Sequence, residues 1–371
     1  MSWMEYTYLL VCHIWFVDLT VVVYNKLYKR NIFSDKFLSL NEIGTKEKHF
    51  MVPCFDHAFV VQDTLAMLHW KNRFLQIFTK KQWKGEVKMM KNMSILNKIF
   101  TRNVLRDVVS ARENVNLKCI VQQYELKNKS YEDLFKHIYD VLKKSYRNEY
   151  YYKNTLLNKL LLGVHSVNTT TALTELPIAN SKADFLMING KAVVYEIKTE
   201  LDNLERLESQ INDYYLAFDH VAVVTYEDNL EAIEKLIDNL KKPVGIYYIK
   251  KNGAISIVKK PKAYRNRLSK ETIFSILRKE EYQSILMNYF GSLPKTNSFN
   301  HYSECKKEFL KIPIDYIYSN FLKLLKKRVK VTKNEFRKVP LELKFLVYFL
   351  NFSQEDYKNL DFYLRQKCGG V

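Results

Sequence analysis

Three charged residues sit where the chain otherwise reads as core. The stretch "DFLMINGKAVVYEIK" runs from Asp184 to Lys198 as two apolar strands joined by Asn189-Gly190. It carries Asp184 at one end and Glu196 and Lys198 at the other. Side chains two apart on a strand share a face, so Glu196 and Lys198 are neighbours. Burying either charge alone costs several kcal/mol or more, on the order of the isolated-ion penalty. Two carboxylates brought together repel and raise a pKa unless a cation neutralises them. Mg²⁺ and Mn²⁺ take hard oxygen ligands, and Asp184 and Glu196 supply two. Lys198 beside them offers a point charge for a scissile phosphate or an attacking hydroxide. The chemistry these types allow is therefore metal-assisted hydrolysis of a phosphodiester.

The elements around these residues must place them. "NEYYYKNTLLNKLLLG" reads as a helix from Asn148 to a stop at Gly163. "TTTALTEL" (169–176) is rich in β-branched residues and reads as a strand. After the hairpin comes a helix from about Asp202 to Phe218, with Asp202 and Glu205 at capping-box spacing. Its Leu204, Leu207, Ile211, Tyr214 and Phe218 form one apolar stripe. The strand "VAVVTY" (221–226), a helix over 229–240 and two strands split by Asn252-Gly253 follow. The order is helix, three strands, helix, strand. Before it, residues 1–146 read as mostly helical, clearest over 62–78 and 131–146; after it, residues 261–371 are helical and basic. The expected division is 1–146, a core over 147–260, and 261–371.

The combination resembles the PD-(D/E)XK nuclease superfamily. Its members share an α-β-β-β-α-β core, with the Asp opening the second strand and Glu-x-Lys on the third. Ala183 stands where the family often has Pro. "EYYYKN", "SKADFLMING", "VYEIKTELDNLERL" and "QINDYYLAFD" together resemble a small, poorly characterised bacterial family assigned to that superfamily. The resemblance covers roughly residues 147–228 and neither flank. It implies a restriction-endonuclease-like α/β core with added strands and mostly helical flanking domains. It implies a Mg²⁺- or Mn²⁺-dependent nuclease, acting on DNA before RNA, in host defence, repair or mobile-element biology. Asp184 and Glu196 would be the metal ligands, the Ile197 carbonyl completing the shell, and Lys198 the catalytic lysine. Glu149, on the first core helix, corresponds to a Glu that assists the metal. Gln210 and Tyr214 match the Gln-x-x-x-Tyr of the RecB-like branch and lie on one helical face.

Each residue also has a plainer reading. Glu149 suits a helix's first turn, and Tyr214 lies on the apolar stripe. Glu175 is a further acidic candidate near the site, though a solvated strand-end carboxylate is the more ordinary use. The hairpin poses a geometric problem. A strict two-residue turn at Asn189-Gly190 opposes Asp184 to Tyr195 and turns Asp184 away from Glu196. Sharing a metal requires a bulge, a longer loop or a bend at Asp184.

Composition bounds the partners. The chain has 371 residues, 47% of them hydrophobic, enough for a sizeable core. Only 9 glycines and 7 prolines argue for long helices over a loop-rich β protein. The formal net charge of +19 favours an anionic partner, nucleic acid first, although a Lys-rich proteome gives basic chains too. Between Lys323 and Lys338 eight basic residues surround Glu335, and Lys326, Lys327 and Arg328 there are candidate phosphate contacts. Arg265 and Arg267, near Lys270, form a second basic group. Five scattered cysteines with no C-x-x-C pair fit free thiols in a cytoplasm, not a zinc site. Tyr6 to Tyr24 is apolar and long enough to span a bilayer, but His13 and Asp18 inside it favour buried core over an anchor. Two rival readings stay open. A non-catalytic nucleic-acid-binding module on the same fold predicts binding that survives chelation. A membrane-associated interaction protein predicts a membrane fraction lost with residues 6–24.

Overall fold

Six strands form one mixed sheet whose spatial order equals their order in the chain. They are β1 (Thr171–Ile178), β2 (Ser181–Asn189), β3 (Lys191–Ile197), β4 (His220–Thr225), β5 (Gly245–Ile249) and β6 (Ile255–Lys259). The first three pair antiparallel as a meander, β3, β4 and β5 run parallel, and β6 returns antiparallel. Parallel neighbours need a crossover, and helices supply both. These are α5 (Leu207–Tyr214) between β3 and β4, and α6 (Leu230–Leu240) between β4 and β5. Strands β3 and β4 are buried almost throughout, as strands covered on both faces must be.

This computed structural model describes residues 95–368, apart from 125, 127, 146, 164–168 and 330. They belong to one compact unit, Leu75–Val371. The helix expected over 62–78 and the segment 6–24 lie outside the described residues. Among the described residues, no helix is long and apolar enough to cross a membrane.

Before the sheet come α1 (Arg102–Val109), α2 (Val115–Gln123), α3 (Tyr131–Ser145) and α4 (Glu149–Leu156). In α3, Leu134, Phe135, Ile138, Tyr139 and Leu142 recur at three and four and are all buried. Helix α4 begins where the Asn148 side chain accepts a hydrogen bond from the Tyr151 N–H. Every α4 residue from Tyr150 to Leu156 is buried, so protein surrounds this helix. It runs on as a wider π turn, Leu157–Leu162, to Gly163, which makes the helix as long as the sequence predicts but not uniformly α. After the sheet come α7 (Lys270–Ile276), α8 (Lys279–Phe290), α9 (His301–Lys311), α10 (Ile314–Lys326), α11 (Lys333–Lys338), α12 (Lys344–Leu350) and α13 (Gln354–Arg365).

Two hydrophobic cores lie on the two faces of the sheet, and they cut across the expected boundaries at 146 and 260. One core joins α1–α4 to Phe185, Met187, Tyr195 and Ile197 on the sheet and to α11–α13. The other joins Leu186, Ile188, Val194 and Val223 to α5, α6 and α7–α10. The basic C-terminal third is therefore divided between the two faces. The start of α3 and the chain beyond α13 even share a β-bridge, Ser130 with Lys367.

Helix α5 is shorter than the expected 202–218, and its start signal fails for a local reason. Asp202 does not cap it. Its carboxylate instead accepts from the N–H and the hydroxyl of Thr199, at 2.8 and 2.7 Å. That closes a turn directly after Lys198, and α5 begins at Leu207 with no side-chain cap.

Candidate active site at the end of β3

The site is built on the β2–β3 hairpin, whose turn is tighter than the two-residue type. Asn189 pairs with Lys191 around Gly190, which takes φ = 70°, a conformation glycine adopts without cost. The whole register is thereby moved by one residue. Phe185, not Asp184, now pairs with Tyr195. The strand also bends there. Ala183 packs in the same core as Leu186 and Ile188, although strict alternation would send it to the opposite face. On the neighbouring strand Glu175 takes φ = 55° between the rungs Thr174–Phe185 and Leu176–Ala183. The break thus runs across β1 and β2 at Glu175 and Asp184. The Thr174 hydroxyl donates to the Asp184 carbonyl at 2.7 Å, and Asp184 Oδ2 accepts from the Ile197 N–H at 2.8 Å. Asp184 thus ties itself to the backbone between Glu196 and Lys198.

Glu196 and Lys198 are 2% and 6% exposed, so neither charge has water to rely on. Lys198 Nζ lies 3.2 Å from Glu196 Oε1 and donates to Gln210 Oε1 at 2.8 Å. Tyr214 Oη lies 2.5 Å from Glu196 Oε2. Four residues from two elements therefore form one connected set. Gln210 and Tyr214 meet it because they lie one helical turn apart on α5. Burial pushes the Glu196 carboxyl up, against the pull of Tyr214 and Lys198. Burial pushes the Tyr214 phenol up further, reinforced by the Glu196 charge. Asp184 is pushed up to about 8, first by burial and next by the negative charge of Glu196, while its bond from Ile197 and the Lys153 charge oppose this.

A second group of carboxylates adjoins Asp184. One oxygen each of Glu149, Glu175 and Asp184 lie within 4.8 Å of one another. Lys153, one turn after Glu149 on α4, is 6% exposed and ion-paired to both Glu149 and Glu175. Lys182 pairs with Glu175 from the solvent side. Burial works to discharge Lys153, but Glu149 and Glu175 outweigh it and hold its pKa above the usual value. Burial likewise disfavours ionised Glu175, and the Lys153 and Lys182 ammonium groups more than offset it. Glu175 is thus no solvated strand end but part of the cluster. Sequence reasoning alone misses Lys153, although its i, i+4 spacing from Glu149 is a signal for it.

The basic candidates do not form one surface. Arg328 points inward and grips Glu281 with two hydrogen bonds, 2.7 and 2.5 Å, and Ile276 O with a third. That bidentate pair leaves its guanidinium committed to the fold, so Arg328 is a strut between α10 and α8, not a free phosphate ligand. Arg265 is paired to Asp219 and Asp315 and stacks over the Tyr318 ring. Lys326 is half-buried, while Lys327 and Arg267 are exposed.

The chain matches the family model described as bacteriophage P4 protein cII over residues 142–344, a span that includes every residue of the site. It is 25% identical over 176 residues to protein cII of Enterobacteria phage P4, which covers 46% of this chain and 64% of that protein. The chain therefore spans less than two thirds of that relative's length. No solved structure matches it. With more than half of its length accounted for by the family model, the chain belongs to the bacteriophage P4 protein cII family.

Proposed function

We propose that this protein is a metal-dependent nuclease with a restriction-endonuclease-like core, cutting phosphodiester bonds in DNA. The observation that carries the reading is the connected set of Glu196, Lys198, Gln210 and Tyr214 at the end of β3, with Asp184 held beside it by the Ile197 N–H. The donor set fits a hard divalent cation. It consists of carboxylates with no thiol or imidazole among them, and burial first and the Glu196 charge second hold Asp184 above its ordinary range. Asp184 and Glu196 would hold Mg²⁺ or Mn²⁺, with the Ile197 carbonyl completing the shell and Glu149 assisting. When bound, such an ion supplies Lewis-acid polarisation of the phosphate and a more acidic water.

The chain's own residues do the positioning. Gln210 fixes Lys198 Nζ, so the ammonium stands ready beside the carboxylates without a search through rotamers. From there Lys198 offsets negative charge growing on the phosphate or orients the attacking hydroxide. Tyr214 fixes the Glu196 carboxylate, and the Ile197 N–H fixes Asp184. The net charge of +19 supplies the attraction for a polyanion.

The test is a cleavage assay on single-stranded DNA, duplex DNA and RNA with Mg²⁺ or Mn²⁺. Wild type should cut, and Lys198→Ala and Asp184→Ala should each cut at least about a hundredfold more slowly, the scale of losing a charge-stabilising group. Equal cutting by all three proteins would refute the assigned site. Binding without cleavage, unaffected by chelator, would assign the fold to a non-catalytic nucleic-acid binder.

A further inference from the structure

Among the described residues, Lys153 is the buried ammonium in the site that the proposed chemistry does not use. It sits on α4, a helix enclosed by protein, so its backbone cannot withdraw. Its Nζ reaches Glu149 on its own helix and Glu175 on β1 at once. Those two residues, with Asp184, present oxygens within 4.8 Å of one another, room for one small cation among them. The Lys153 ammonium pairs with two of the three. Glu175 faces it because the β1 backbone takes its left-handed turn at that residue. Lys198 occupies a different place, between Glu196 and Gln210.

We propose that Lys153 is a tethered place-holder: its ammonium neutralises Glu149 and Glu175 in the metal-free protein and must leave for a divalent cation to bind among them and Asp184. This rests on the metal-site reading above. Lysine suits the role because its compact charge rides on a flexible four-carbon stem that can swing aside. A place-holder keeps the cluster assembled without an ion and sets a threshold that the ion must overcome.

The experiment uses Mn²⁺ alone on the full-length protein, by calorimetric titration of wild type, Lys153→Met and Asp184→Asn. In parallel, lysine acylation of wild type is followed by mass spectrometry with and without saturating Mn²⁺. The expected result is at least tenfold tighter Mn²⁺ binding by Lys153→Met, loss of binding in Asp184→Asn, and acylation of Lys153 that rises severalfold on adding Mn²⁺. Mn²⁺ binding by wild type, with Lys153→Met no tighter or Lys153 acylation unchanged, overturns the place-holder and leaves the metal site standing. No binding by either wild type or Lys153→Met, or full binding by Asp184→Asn, overturns both. Should Lys153→Met fail to fold, the wild-type acylation result decides alone.

Discussion

Asp184 shows most directly how the site's electrostatics enter stability. Its carboxyl is pushed from an ordinary 3.8 up to about 8, by burial first and by Glu196 second. Between those two values the folded protein keeps a proton that the unfolded chain has lost. The Asp184 contribution to the stability of the metal-free protein must then fall as pH rises from about 4 to about 8, because at this group the folded state binds more protons across that window. Asp184→Asn removes the titration and retains an oxygen to accept from the Ile197 N–H. In chelator, the variant should gain on wild type steadily through that window and be more stable by about 1 kcal/mol or more at pH 8, since a buried charge repelled by Glu196 has been removed. Thermal melts at a series of pH values measure this. A constant difference between the two proteins from pH 4 to 8 would mean that Asp184 ionises normally. The gain in stability should accompany loss of cleavage, as expected where a site is held in a strained electrostatic state for function.

Helix α4 carries Glu149 and Lys153, and one buried residue locks it in place. Asn154, fully buried, donates to Tyr139 Oη at 2.9 Å and to Leu341 O at 3.0 Å. Its Oδ1 accepts from the Phe345 N–H at 3.1 Å. One amide thus connects α4 to α3 and to the chain entering α12. Asn154→Ala strands several buried groups and should cost about 3 kcal/mol in denaturant unfolding, roughly the sum of the unsatisfied partners. A loss below about 1 kcal/mol would show that water or a shift of α12 satisfies them. None of these partners is legible in the sequence, because Tyr139, Leu341 and Phe345 are distant along the chain. The strand order is legible, since alternation and the Asn-Gly turns are local. The hairpin register is not, because one glycine at φ = 70° suffices to move it by a residue. The start of α5 misleads for a similar reason: Asp202 is a good cap, but Thr199 offers it two donors nearer at hand. Glu196, Lys198, Gln210 and Tyr214 stand out because their spacings of two and four are the periods of strand and helix.

On the scale of the whole molecule, charge has to be sorted by whether the fold already uses it. The chain carries +19, but its basic residues are not equivalent. Arg328 commits its guanidinium to Glu281 and to the end of α7, whereas Lys327 beside it and Arg267 are open to solvent. The Arg328–Glu281 pair is about nine-tenths buried on both sides, so removing one partner leaves a buried charge. Glu281 is held below the usual carboxylate range because Arg328 and the Arg278 N–H outweigh the burial that opposes its ionisation. Arg328→Ala should therefore destabilise the protein by about 3 kcal/mol, the scale for breaking a buried pair. Lys327→Ala and Arg267→Ala should leave the melting temperature within error and weaken binding to DNA. Removing one cation that neutralises a phosphate should make the slope of log K against log salt shallower by about 1. Fluorescence anisotropy between 50 and 200 mM salt, about the range where such slopes are steep, reads the second effect, and denaturant titration reads the first. An Arg328→Ala protein of unchanged stability with a shallower salt slope would return that arginine to the binding surface. The opposite pattern would place it, as its hydrogen bonds do, inside the framework that keeps α8 and α10 against the sheet.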